Sequence, residues 1–198
     1  MGGKRVLEYG CGTGSHAYYL ATSGAEVIGI DISPVRLAQA RQDAMNQGLS
    51  IEFVEGDAEH LPFADASFDR VVGGAILHHL DLDAAYREVA RVLRPEGDAY
   101  FIEPLGHNPA INWYRRRTPQ MRTEDEHPLL MGDLARAHRF FSRVDVDFYH
   151  LFALGAAPLF GTPLFRPTTF IGDILDRLAM RLSPLQPLAW TALIRLKK

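Results

Sequence analysis

The sequence predicts an α/β fold in which buried strands alternate with amphipathic helices. Three observations carry that prediction. Residues 6–9 are an apolar run delivered into Gly10, Gly12 and Gly14, which reads as a strand entering a loop with no side-chain bulk. Residues 26–31 and 51–55 repeat the short apolar pattern, with helical spacing of apolar residues between them. Ser33-Pro34 and Gly48 fall at the junctions, where a helix needs its start and its stop.

Taken in order, residues 15–23 follow the glycines with helical spacing, so the loop opens onto a helix N-terminus whose free N–H groups face the same space. This is the first βα turn of a Rossmann-like unit. The strand 26–31 ends in Asp31, 17 residues past Gly14, where such a unit places the acid that accepts hydrogen bonds from ribose hydroxyls. Ser33 and Pro34 cap the next helix by themselves, which frees Asp31 for a ligand. That helix runs over 35–46 with Leu37, Ala38, Ala40, Ala44 and Met45 inward, and Gly48 stops it. The strand 51–55 then leads into Gly56-Asp57-Ala58, and the strand 70–74 into His78 and His79. Residues 81–93 have the spacing of a covering helix, with Pro95-Glu96-Gly97 as its stop.

Glu8-Tyr9-Gly10-Cys11-Gly12-Thr13-Gly14 resembles the glycine motif of class I S-adenosylmethionine-dependent methyltransferases. The dinucleotide fingerprint fits less well, since its third glycine would fall on Ser15. The run 68–102 is similar to the same family, and the resemblance covers nearly all of residues 4–104, more loosely beyond. It implies a Rossmann-like three-layer sandwich with a seven-stranded, mostly parallel sheet, the seventh strand antiparallel between the fifth and sixth. It also implies S-adenosylmethionine as cofactor, S-adenosylhomocysteine as product, and methyl transfer to oxygen, nitrogen or carbon of an acceptor on which the motifs are silent; a small, apolar molecule is expected from the charge-free segment 151–165. By the same resemblance Glu8, Tyr9, Gly10, Cys11, Gly12 and Gly14 form the cofactor loop and Asp31 and Ile32 the ribose side. Gly56, Asp57 and Ala58 follow at the adenine, where a carboxylate beside an amide N–H matches a donor next to an acceptor. Gly74 and Ala75 are small where the methionine part approaches backbone.

For catalysis, His78 and His79 are candidate bases because histidine titrates near neutral pH; packing under the cofactor is the alternative. Glu103, His107, Tyr114 and His127 are further candidates on a polar, aromatic stretch after the fifth strand, and 105–140 reads as a substrate loop region. Its arginines, Arg115 to Arg117 and Arg122, either bind an anionic group or form a solvated helix face. Residues 130–141 look helical with Leu134, Ala135, His138 and Phe141 on one face, while 144–148 and 189–196 read as the last strands. Between them, 150–187 is an apolar insertion whose first part, 151–165, contains no charge. It is expected to cover a substrate, a second copy of the chain, or a lipid surface. Ile171, Ile174, Leu175, Leu178 and Leu182 follow at helical spacing.

The chain has 198 residues, 47% hydrophobic and 23% charged, enough for one domain over 1–198. A single cysteine excludes an internal disulfide, and no run of about 20 apolar residues is present to cross a membrane. With no room for a signal peptide before the first strand, a cytoplasmic location is expected. The net charge of −3 conceals an acidic front, 8 Lys/Arg against 16 Asp/Glu in 1–110, and a basic back, 13 against 8. No basic, aromatic stripe marks a nucleic-acid groove, and no spacing suggests a metal site. Members of the resembled family usually carry helices before the first strand, which this chain lacks. Closure by 151–165, an open site and a truncated chain are the alternatives. Three functions remain: a small-molecule methyltransferase, a catalytically incomplete cofactor-binding module, and a nicotinamide-dependent oxidoreductase.

Overall fold

Side-chain alternation along the first strand, β1 (Arg5–Tyr9), sets the layering. Val6 faces one apolar cluster, with Leu20, Val27, Leu37 and Ala40, while Leu7 and Tyr9 face the other, with Ile28, Ile30, Tyr86 and Phe101. The computed structural model describes residues 2–121, 123 and 126–198. Among these, β1 is joined by β2 (Glu26–Asp31), β3 (Glu52–Glu55), β4 (Phe68–Gly74), β5 (Leu93–Pro104), β6 (Arg143–Tyr149) and β7 (Thr191–Lys197). They make one seven-stranded sheet in the order β3-β2-β1-β4-β5-β7-β6. The first five strands are parallel, and β7 runs antiparallel between β5 and β6, as the sequence implies.

Helices α1 (Ser15–Thr22) and α2 (Pro34–Asn46) cover the Val6 face through Ala17, Leu20, Leu37, Ala40 and Ala44. Helix α3 (Leu82–Val92) covers the other with Leu82, Ala85, Tyr86, Val89 and Val92, all buried at helical spacing. Ser33 caps α2 by accepting from Arg36 N–H, and Asp81 caps α3 by accepting from Ala84 N–H at 2.8 Å.

Several sequence expectations need correction. Ala38 and Met45 point to solvent, because the buried stripe of α2 is narrower than its apolar content. Pro95 to Gly97 do not follow a helix into a loop: α3 ends at Val92 and β5 begins at once. The irregularity is taken up by a register shift against Phe68 and Arg70 and by φ +61° at Glu96. The strand also continues to Pro104, so Glu103 lies in the sheet and not in the loop after it. The predicted helix 130–141 is α5 (Met131–Arg136) followed by a 3₁₀ turn over Ala137–Arg139. The tighter turn shifts the phase, so Ala137 is buried while Ala135 and His138 are exposed.

The 150–187 insertion contains a 3₁₀ segment, Ala153–Leu159, and helix α6 (Phe165–Ala179). The helix turns its small face inward. Gly172 lies so close that a Cβ there would come within 2.5 Å of Ala153 Cα. Asp176, 4% exposed, accepts from the N–H groups of Leu151, Phe152 and Ala153 at 3.2, 2.7 and 3.3 Å. One buried carboxylate thus satisfies three donors of a charge-free segment. Asp176→Ala should lower unfolding free energy in urea by about 1–3 kcal/mol; an unchanged midpoint would contradict this role.

Candidate functional site

The carboxyl ends of β1 to β4 meet at one edge of the sheet, with Tyr9 beside both Ile30 and Gly73 and Asp31 beside Glu55. The loop 10–14 leaves β1 there with positive φ at Gly10, Gly12 and Gly14. The three glycines answer different demands. A Cβ on Gly10 would lie 2.5 Å from Ile76 Cγ1, and one on Gly14 would lie 3.1 Å from the Phe53 ring. On Gly12 it would meet nothing nearer than an Arg36 guanidinium nitrogen at 3.8 Å. Protein fills the space beside the outer two, while beside Gly12 the nearest group is the far end of the flexible Arg36 side chain.

Asp31 holds that backbone. Its Oδ2 accepts from Gly12 N–H at 2.7 Å and its Oδ1 from Ser33 N–H at 2.9 Å, which leaves about two of a carboxylate's four acceptor positions for a ligand. Ile32, next in sequence, is 75% exposed. Gly56 N–H donates to the Asp31 carbonyl at 3.1 Å, drawing the turn after β3 to the same place. In that turn Asp57 accepts from Glu59 N–H at 2.8 Å and pairs with His60 Nδ1 at 2.9 Å. The His60 contact, then the Glu59 N–H, hold the Asp57 carboxyl below the usual range, and the same pairing raises His60.

Glu8 is 2% exposed and lies on the α1 side of the sheet by alternation from Val6. Its Oε2 accepts from Ala17 N–H at 2.8 Å and its Oε1 from His16 N–H at 3.3 Å, with His16 Nδ1 at 3.1 Å. Helix α1, whose cap residue Gly14 has no side chain to offer, takes its cap from the neighbouring strand. His16 in turn stands over the end of β4: a Cβ on Gly74 would meet its Cε1 at 2.9 Å. The adjoining Ala75 adopts φ +53° and donates its N–H to Ile102 O at 2.8 Å, a left-handed conformation costly for a non-glycine residue. Sequence reasoning missed His16, whose only signal was its place two residues after Gly14.

Two motif residues turn their side chains away from this edge. Tyr9 is fully buried, donates its hydroxyl to Ala58 O at 2.7 Å and packs edge-on to Phe101. Cys11 is 5% exposed, and burial, helped by Glu8 and Asp31, pushes its thiol up to about 12. These residues can offer a ligand only main chain.

The predicted bases separate into two groups. Glu103 is fully buried; its Oε1 accepts from Ile76 and Leu77 N–H, both at 2.9 Å, and its Oε2 lies 2.8 Å from His78 Nδ1. His78, 4% exposed, is therefore locked beneath the 3₁₀ turn Leu77–His79. His79 stacks on it at 4.2 Å between ring centres. It shares a hollow of about 400 Å³ with Leu80, Asp81, His127, Asp133 and Arg136. His107 is apart from these, its Nε2 accepting from Met131 N–H at 3.1 Å, and Tyr114 is half-exposed on α4 (Pro109–Arg117). Asn108, which the sequence reading passed over, caps α4 through Ala110 and Ile111 N–H and donates to Leu188 O at 2.6 Å. Arg115 donates to Leu105 O, and Arg117 stacks on Trp113 at 4.3 Å. Arg122, Glu124 and Asp125 lie outside the described residues. Among the described residues no group of three His, Cys, Asp or Glu side chains is placed to hold a metal ion.

Two measurements check this geometry. Gly10→Ala should destabilise the protein by about 1–3 kcal/mol through overlap with Ile76, whereas Gly12→Ala should cost only about 1 kcal/mol of backbone strain. Equal losses would contradict the division of labour. The Glu8 hydrogen bond raises His16 above 6.5, so its stabilisation is complete below that pH and disappears as pH rises through the elevated value. His16→Ala should flatten the pH dependence of the urea midpoint in that window, and an unaltered slope would refute the link.

Comparison with known proteins bears on the domain and its fold. A family described as "Methyltransferase domain" matches residues 7–101, which sets aside the nicotinamide reading of the glycine loop. Methyltransferase GfsG of Streptomyces halstedii is 44% identical over 99 residues, 48% of this chain and 36% of that protein. Demethylmenaquinone methyltransferase of Chlorobaculum parvum is 45% identical over 103 residues, 51% of this chain and 41% of that protein. The chain thus spans less than half the length of these curated relatives. In fold, phosphoethanolamine N-methyltransferase 2 of Haemonchus contortus, solved with S-adenosyl-L-methionine, superposes with a TM-score of 0.71 at 18% identity, covering 100% of this chain and 49% of that one. Over residues 7–101, and in the sheet that carries them, the chain is similar to class I S-adenosylmethionine-dependent methyltransferases.

Proposed function

We propose that the protein moves a methyl group from S-adenosylmethionine to a small, apolar molecule. The observation that carries this reading is the open backbone of Gly12 with Asp31 fastened to it. The residues present fit the cofactor. Asp31 would accept from the ribose hydroxyls, Asp57 and the Ala58 N–H would read the adenine edge, and Ile32 would lie against its face. Gly12, Gly74, Ala75 and His16 would border the amino-acid end. When bound, S-adenosylmethionine supplies an electrophilic methyl group on a sulfonium.

A small acceptor is supported by the hollow beside His79 and His127, whose volume suits a small molecule. An apolar one is supported by Tyr149, Phe152 and Trp190, each partly exposed near where β5 and β6 end and β7 begins. Of the histidine pair, His79 faces the hollow and can take a proton from an acceptor that must lose one. The mutual locking of His78 and Glu103 favours a second reading, a module that binds cofactor without turning it over.

Asp31→Ala and Asp57→Ala should each weaken S-adenosylhomocysteine binding by about 5- to 150-fold in calorimetry, the cost of losing a hydrogen bond to a charged group. Unchanged affinity in both would contradict the cofactor site. Incubation with S-adenosylmethionine and a panel of apolar phenols, quinols and amines should release S-adenosylhomocysteine, and His79→Ala should slow that release by about 10²–10⁴-fold. Tight binding with no release from any acceptor would select the second reading.

A further inference from the structure

Helix α6 carries its apolar stripe on the wrong side for a core element. Leu164, Ile171, Leu175, Leu178 and Leu182 recur at helical spacing and are 61%, 58%, 45%, 55% and 58% exposed. The inward positions are Gly172, Asp176 and Ala179. The stripe continues into the charge-free segment 151–165, where Phe152 and Phe160 are 49% and 78% exposed. Contiguous apolar exposure of this kind marks a surface that meets something.

The charges beside the stripe say what. Helical geometry puts Arg166 and Arg177 along one flank, with Arg181 in the turn that follows the helix, all exposed, and half-buried Asp173 alone among them. On its other side the stripe borders half-buried Thr168 and then the inward-facing Gly172 and Ala179, with no exposed charge. Two copies packed antiparallel through this stripe would bring arginine flank to arginine flank, and packed parallel they would offer the arginines no acid. An anionic headgroup layer meets both demands, since its acyl boundary takes the leucine stripe and its phosphates take the arginines. The helix has 15 residues and no helix described is long and apolar enough to cross a membrane, so it would lie in the surface plane.

We propose that the outer face of α6, with the 151–165 segment, is a docking surface for lipid membranes bearing anionic headgroups. This stands independently of methyl transfer.

The test is vesicle co-sedimentation of the full chain. It should bind equimolar phosphatidylglycerol–phosphatidylcholine vesicles, and bind pure phosphatidylcholine vesicles about tenfold or more weakly. Ile171→Ser with Leu178→Ser should abolish binding, and Arg177→Gln with Arg181→Gln should remove the preference for anionic vesicles. Both pairs are exposed and should leave the melting temperature in place. Failure of the unmodified chain to bind anionic vesicles would overturn the proposal, as would equal binding to both vesicle types. Sedimentation velocity without vesicles should show a monomer; a dimer dissolved by the Ile171→Ser, Leu178→Ser pair would give the face to a second copy and overturn the proposal.

Discussion

The structure depends on carboxylates at strand ends gripping the main-chain N–H groups of adjacent turns. Glu8 on β1 takes His16 and Ala17, Asp31 on β2 takes Gly12 and Ser33, and Glu103 on β5 takes Ile76 and Leu77. Each turn leaves a parallel strand with donors that no ladder can satisfy, and each acid lies within reach because the sheet registers bring neighbouring strand ends together. Charge-assisted bonds of this type are short and strong, so the edge is stiff before any ligand arrives. The acidic balance of residues 1–110 is in part this stitching.

A stiff edge explains how one loop can be both tight and open. Ile76 and Phe53 press on Gly10 and Gly14 from within the protein, which fixes the direction in which Gly12 faces. Glu103 sets the other border by holding the 3₁₀ turn that carries His79 toward the hollow beside His127. The second half of the chain supplies what the first does not: Asn108 fastens α4 to the segment before β7, and Asp176 fastens the charge-free segment to α6. Polar anchors at defined points leave the apolar faces between them available for contact.

Much of this was legible in residue order, and the failures have physical causes. The limits of β2 and the cap at Ser33 followed from local chemistry alone, since a short apolar run ending in Asp-Ile-Ser-Pro has one reasonable reading. Glu103 reads as part of the polar, aromatic stretch after the fifth strand, yet the ladder to β7 continues through it to Pro104. Periodicity found the α6 stripe but could not say which way it faced, because what packs inward there is a glycine, an alanine and a buried acid. The differing demands on Gly10, Gly12 and Gly14 were invisible in sequence, for they are set by Ile76, Phe53 and Arg36, distant in the chain.

The central claim is that this stitched edge, with Gly12 open at its middle, is where the cofactor lies. Amide chemical-shift mapping during titration with S-adenosylhomocysteine tests it most directly. The account predicts the largest shifts at Gly12, Ile32, Ala58 and Ala75. Unmoved amides at those four positions, with shifts gathered instead around Val146 to Tyr149 and Arg177 to Gln186, would contradict it.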